Sequence, residues 1–325
     1  MVAIEHQTTL YRERLRPPGG RRGTTGTILL SVWGKGGVGK STIAAALASL
    51  VRQSYQRVVL VSTDPTPSAR QLLCKDNECG GIEVRELCEN EVKRLWVKRF
   101  GDEVYEVISS FLPVERWIID YVAGAPGISD QFMLYYIYEL ARSNNYDAIV
   151  WDTVAAGASL RLLRLEKEFY THMGDAARLY LRVRSALEKL RRGKRDPLEL
   201  INSWRELAEN ILSMLSSSSH RAVIVSEPSR LSLAVTKSIL GELRLHGIEP
   251  RLLVANKLVE ENPCPGCSLV EDVVRETQEH LLGIEELGLS AVHVPYVPGE
   301  PRERVEKVAR ILEKEGVLRR LGLLP

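Results

Sequence analysis

The spacing of apolar residues changes several times along this chain, and those changes mark its elements. From Thr27 onward, short apolar runs rich in β-branched residues alternate with longer stretches of helical spacing. The runs at 27–32, Val58–Ser62, 148–151, 222–226, 251–255 and 292–294 mostly lack polar alternation. Strands buried on both faces read this way, and such strands belong to parallel sheets. Right-handed crossovers then predict an α/β fold with a doubly wound, mostly parallel sheet. Its chemistry belongs at the carboxyl ends of the strands.

Two stretches, 84–146 and 160–217, leave that rhythm and read as mainly helical. In the first, Val92, Leu95, Trp96, Val104, Ile108 and Phe111 form an amphipathic stripe. In the second, Leu162, Leu165, Phe169, Met173, Ala176, Tyr180, Val183, Leu187 and Leu190 recur at three- and four-residue spacing. A basic break at 191–197 follows, and then a second stripe through Ile201, Trp204, Ala208, Ile211 and Leu215. The pattern predicts a helical hairpin with a basic turn, and the two stretches together predict a helical subdomain over the strand ends. Residues 1–26 carry Arg12, Arg14, Arg16, Arg21 and Arg22 around a Pro-Pro-Gly-Gly run and show no apolar period. They read as a disordered basic tail ahead of one domain at 27–325.

Composition narrows the function. The net charge is +2 from 44 basic and 42 acidic side chains, which argues against a dedicated nucleic-acid binder. No stretch approaches the length of a membrane-spanning helix and no secretory leader precedes the domain, so a cytoplasmic protein is expected. Five cysteines in such a chain suggest metal or redox chemistry before structural disulfides.

The most informative run is Gly34-Lys35-Gly36-Gly37-Val38-Gly39-Lys40-Ser41-Thr42. It fits G-x-x-x-x-G-K-[ST], between a buried strand and an alanine-rich helix, the context a phosphate loop requires. Small residues let backbone N–H groups curl around phosphate oxygens, and the following helix presents the positive end of its dipole. Lys40 suits the β/γ-phosphates, and the Ser41 hydroxyl suits a Mg²⁺ that keeps most of its waters. Asp152 and Asp64 each close a strand at the carboxyl edge. Asp152 is the candidate for Mg²⁺ and Asp64 for orienting the attacking water. Helix N-capping is the alternative for both.

With Lys35, Asp64 and Asp152 placed, residues 27–315 resemble the ArsA/Get family of ATPases, P-loop NTPases of the SIMIBI type. That family includes arsenite-pump ATPases and the ATPase that targets tail-anchored membrane proteins. The loop 34–42 looks like the family's deviant Walker A motif. The resemblance implies a homodimer in which Lys35 reaches the nucleotide of the opposing subunit. Ser62-Thr63-Asp64-Pro65 is similar to switch I. Asp152-Thr153, followed by Gly157-Ala158-Ser159, is similar to switch II. Asn256-Lys257-Leu258 resembles the segment whose asparagine reads adenine, and the segment from Val294 to Glu300, with Pro295 and Val297, resembles the loop packed on the base. Two histidines and an asparagine that usually follow the switch aspartates are missing. Binding of nucleotide survives such changes more easily than coupling of hydrolysis to partner release.

Cys264-Pro265-Gly266-Cys267 sits where the targeting ATPases carry a zinc-binding C-x-x-C. One pair supplies two of the four ligands that tetrahedral Zn²⁺ wants, and a two-fold axis would complete the set across the dimer. A redox pair or two unconnected loop cysteines are the alternatives. Cys74, Cys79 and Cys88 read as small buried cysteines, with a metalloid site as the other possibility. The resemblance implies ATP and Mg²⁺ as ligands, a hydrophobic transmembrane segment as client, and a membrane receptor that brings the protein to the membrane periphery. An arsenite-pump subunit and a positioning ATPase like the MinD/ParA relatives are the alternative readings. The last would use a C-terminal membrane helix, but Val305, Val308, Ile311 and Leu312 read better as a final packing helix.

Overall fold

The computed structural model describes residues 26–64, 68–76, 78–111, 113–125, 127–154, 156–187, 197–262 and 264–324, with the side chains at 110, 111, 156–159, 162, 180 and 183–187 outside that description. Most of the expected basic tail, residue 65 of the switch I segment, the side chains of 157–159, Leu190 and the basic turn at 191–196 lie outside the described residues.

Strands and helices follow in the order β1 (Ile28–Gly34), α1 (Lys40–Ser54), β2 (Val58–Ser62), α2 (Ala69–Leu73), β3 (Glu83–Glu86), α3 (Glu89–Phe111), α4 (Ile118–Ala123), α5 (Ile128–Arg142) and β4 (Ala148–Asp152). The second half contains α6 (Ala156–Leu187), α7 (Pro197–Ser216), β5 (His220–Ser226), α8 (Arg230–Leu245), β6 (Pro250–Leu258), α9 (Ser268–Glu285), β7 (Ala291–Pro295), α10 (Pro301–Lys314) and α11 (Val317–Arg320). The strands form one seven-stranded sheet in the order β3-β2-β4-β1-β5-β6-β7. Every pairing is parallel. This is the doubly wound sheet the apolar runs predict, with β1 near the centre, where the winding direction switches.

Alternate residues of the buried strands feed two apolar layers. Leu30, Val32, Leu60, Val150, Val223 and Val254 face α1, α2 and the C-terminal helices α10 and α11. Leu29, Trp33, Val59, Ile149, Trp151 and Ile224 face helices from the two insert stretches. Trp33 and Trp151 meet edge to face on that side, with ring centroids 5.6 Å apart. Helix α1 is buried along most of its length, and Ala44, Ala45, Ala46 and Ala48 let it lie close between the sheet and α10. Val305, Val308, Leu312, Val317 and Leu321 are buried in the same layer. The C-terminal stripe is therefore a packing face. Among the described residues no helix is long and apolar enough to cross a membrane.

Two expectations need correction. The helical stretch expected from 84 begins with an edge strand, β3, paired to β2. Its Glu-Val-Arg-Glu sequence has one apolar residue, too few to register as a strand, and its charges suit an exposed edge. The second correction concerns the cysteines. Cys74 and Cys79 are joined in a disulfide with Cα atoms 4.1 Å apart, and Cys88 is exposed. They are not three small buried thiols, and two of them are not free metalloid ligands. Helix α2 ends at Leu73, and Lys75 and Glu78 then exchange backbone hydrogen bonds of 2.9 and 2.7 Å across a tight reversal. That reversal brings the two sulfurs together, which the residue spacing alone does not specify.

Candidate active site

The carboxyl ends of β1, β2, β4, β5 and β6 bring nearly all the candidate residues to one edge. Register fixes the frame: Val32 of β1 and Ser62 of β2 both lie opposite Asp152 of β4. Thr153 donates from its hydroxyl to the Val32 carbonyl at 2.7 Å, tying the segment after β4 to the strand that feeds the loop.

The loop 34–39 has the shape its glycines allow. A Cβ on Gly34 would lie 2.5 Å from the Val225 carbonyl oxygen, so only glycine permits this approach to β5. Gly37 and Gly39 have φ values of 86° and 96°. Gly39 caps α1 without any side-chain hydrogen bond. Such an N-terminus, preceded by a glycine loop, is a ready anion site. Val38 is buried and anchors the loop, and Gly36 is exposed. Ser41 and Thr42, in the first turn of α1, are partly exposed.

Lys40 is buried, and its Nζ donates to the Lys35 carbonyl at 3.2 Å. Burial pulls its ammonium below the usual lysine range, while the charges of Asp152 and then Asp64 oppose that shift. Asp152 is 1% exposed. Burial pushes its carboxyl up to about 6, against the pull of the Ser41 hydroxyl and the Lys40 charge. Oδ2 accepts a long bond from Ser62 at 3.4 Å, and Oδ1 is buried with no partner. An orphaned carboxylate oxygen beside a serine hydroxyl fits a hard divalent cation. Ser41 and Asp152 would hold Mg²⁺ here, and the ion would supply neutralisation of phosphate charge. Asp64 is half-buried just past β2, and its N–H reaches the Ser62 hydroxyl at 3.5 Å. Its charge is felt by both Lys40 and Asp152, so it borders the same site.

The Lys35 side chain has a partner of its own. Its Nζ pairs with Glu227 at 3.4 Å. The other oxygen of Glu227 accepts from Lys257 at 2.8 Å, and Lys257 also donates to the Gly37 carbonyl at 2.6 Å. Burial works against the Glu227 carboxylate, but Lys257 and then Lys35 hold it below the usual range. Glu227 is the site residue that sequence reasoning missed. Its signal was its place, directly after β5 at the carboxyl edge. Lys257 adopts a left-handed φ of 61°, a strained setting for lysine.

Asn256 is buried, and its Nδ2 donates to the Val38 carbonyl at 2.8 Å. It therefore holds the phosphate loop from β6. Leu258 pairs with Pro295, and the Leu258 carbonyl accepts from the Tyr296 N–H at 2.8 Å. Pro295 and Val297 thus lie beside the strand that carries Asn256. Arg304 fixes the segment by donating to the carbonyls of Val297 and Gly299 at 3.0 and 2.8 Å. Cys264 and Cys267 lie between β6 and α9, on a turn closed by a Cys267 N–H to Cys264 carbonyl bond of 3.1 Å. Cys264 is exposed and Cys267 partly so. Among the described residues no three His, Cys, Asp or Glu side chains cluster as a metal set, and one cysteine pair supplies two of the four ligands that tetrahedral Zn²⁺ takes.

Comparison with known proteins agrees with this geometry. The model of the anion-transporting ATPase family matches residues 27–314. The arsenical pump-driving ATPase 2 of Aquifex aeolicus, as that protein is named, is 28% identical over 247 residues, covering 71% of this chain and 80% of its own. The ATPase get3 of Pyrenophora tritici-repentis is 24% identical over 308 residues, covering 87% of this chain and 90% of its own. Because the family match runs from β1 past β7 and takes in the whole nucleotide edge, the chain belongs to the ArsA family of anion-transporting ATPases and is an ATP hydrolase.

Proposed function

We propose that the chain works as a homodimeric ATP-driven switch that captures hydrophobic segments of membrane proteins and delivers them to a membrane receptor. The observation that carries this reading is the exposed apolar surface of the long helical hairpin. Helix α6 presents Leu179 and Leu181 at 63% and 54% exposure. A cleft of about 420 Å³ lies beside them between α6 and α7, lined by Ala177, Leu181, Leu198, Asn202 and Arg205. Exposed leucines beside a cleft suit an amphipathic or apolar helix as client. In this reading α3 to α7 move together as a helical subdomain, and the protein works on the cytoplasmic side, meeting the membrane only during delivery.

The switch rests on lysine chemistry. Lys40 and the loop amides hold the phosphates in cis, Asp64 orients water, and Asn256 with Pro295 and Val297 contacts the base. Lys35 is already displaced onto Glu227 rather than onto its own Lys40 site, which supports a role toward the partner's nucleotide. Closure of two protomers would draw it across and complete the positive field on the transferring phosphoryl group. Cys264 and Cys267 of each protomer would then meet at the two-fold axis and share one Zn²⁺.

The test is capture of a hydrophobic tail-anchor helix by the purified chain, with ATPase activity measured with and without arsenite. Leu179→Ser with Leu181→Ser should reduce capture at least tenfold while turnover without client stays within about twofold. Undiminished capture by this variant removes the hairpin from the client site. Arsenite stimulation without capture would instead support the pump-driving role for which the Aquifex relatives are named.

A further inference from the structure

A second cavity lies in the helical layer and shares no lining residue with the cleft between α6 and α7. It has a volume of about 220 Å³ and is lined by residues of α3, α4, α5, α6 and α7. That exceeds the engineered apolar cavity of about 150 Å³ that admits benzene. Its walls are largely aromatic: Trp96, Phe100, Phe132, Tyr135, Phe169 and Trp204. Into this apolar space comes one acidic side chain, Glu166 of α6.

Glu166 is 3% exposed. Among the described residues no hydrogen bond or ion pair engages it, and burial alone pushes its carboxyl up to about 8. A buried polar group without a partner is rare and asks for a reason. Two other polar groups at the wall are already occupied. Tyr135 accepts from Arg99 at 2.8 Å, and Trp204 donates from its indole to Glu103 at 2.9 Å. Arg99 and Glu103, both on α3, pair with each other at 3.0 Å. Among the described lining residues, Gln131 of α5 and the indole of Trp96 are the other polar groups, and α4 contributes Val122.

The chemistry selects a ligand class. Aromatic faces carry negative quadrupole and attract cations, most strongly where water is excluded. A single carboxyl adds a full counter-charge once it gives up its proton to solvent, which an ammonium partner favours. One carboxylate among carbon atoms is too few ligands for Mg²⁺ or Zn²⁺, which need four to six. An organic cation needs only one ion pair and buries its apolar body against the rings. We propose that this cavity is a binding site for a small alkyl- or aryl-ammonium compound, held by Glu166 and the surrounding aromatic rings. The site is independent of the client reading.

The test uses 2-phenylethylammonium as the probe and 2-phenylethanol as its uncharged match, titrated calorimetrically into the full chain at about pH 8. The expected result is saturable one-to-one binding of the ammonium, weakened at least tenfold by Glu166→Gln, with 2-phenylethanol weaker in the wild type and unaffected by the substitution. Three results would overturn the proposal: no saturable ammonium binding to the wild-type chain, equal binding by the Gln variant, or alcohol binding as tight as the ammonium. The comparison of the two probes on wild-type protein stands even where the variant folds poorly.

Discussion

Glu166 makes a quantitative statement about stability against pH. Its carboxyl titrates near 8 in the folded chain and near 4.5 in an ordinary exposed setting. The folded state therefore holds a proton that the unfolded state releases, and raising pH between those two values favours unfolding. The contribution is harmless below about pH 4.5, grows as pH rises, and levels off above about 8. At about 1.4 kcal/mol per tenfold change, the gap sets an upper limit of about 5 kcal/mol. Water entering the 220 Å³ cavity would screen part of this, leaving about 2–5 kcal/mol. Glu166→Gln keeps the shape and removes the titration. Urea unfolding followed by far-UV circular dichroism at about pH 5 and about pH 8.5 gives the needed comparison. The variant should gain on the wild type by about 2 kcal/mol or more on moving from the acid to the alkaline condition. Any constant effect of the buried amide cancels in that difference. Parallel wild-type and variant profiles would refute the reasoning, because Glu166 would then be hydrated or paired.

Three further outcomes follow from the site and the sheet. Lys35→Ala should lower hydrolysis by about 100-fold or more while nucleotide affinity, measured by fluorescence titration, changes little; retained turnover would reject the role across the dimer. Gly39→Ala places a Cβ 2.3 Å from the Asn256 amide nitrogen at a φ of 96°, so thermal melting should show a loss of about 1–3 kcal/mol and ATP affinity should fall. His220 is buried between Ser31 and the Leu215 carbonyl, and burial pulls its imidazole down to about 4. The unfolded state then binds the extra proton first, so stability is full above about pH 6.5 and falls toward pH 4, by up to about 3 kcal/mol. His220→Gln should flatten that acid limb in chemical denaturation, and an unchanged limb would assign the acid loss elsewhere.

Much of the site was written in local spacing. The phosphate loop needs glycines at fixed intervals, because the backbone must turn through left-handed angles and approach β5, and Gly34, Gly37 and Gly39 do so here. Asp64 and Asp152 were legible because a buried parallel strand ends where its apolar run ends, which puts the next polar residue at the carboxyl edge. The final helices were legible because their apolar stripe has one period and no competing use.

What stayed hidden depends on contacts between distant segments. β3 contains one apolar residue and exists because β2 offers it an edge to pair with. The Cys74–Cys79 disulfide follows from a chain reversal whose geometry no cysteine count encodes. Glu227 was one acid among many until folding set it between Lys35 and Lys257. Glu166 lies beside the apolar stripe of its own helix, and only the packing of five helices buries it. The sequence by itself determined the sheet, the loop and the nucleotide chemistry, because these depend on periodicity and on residues close along the chain. The tertiary structure decided which charges meet and which stand alone, because pairing and desolvation depend on what folding brings together.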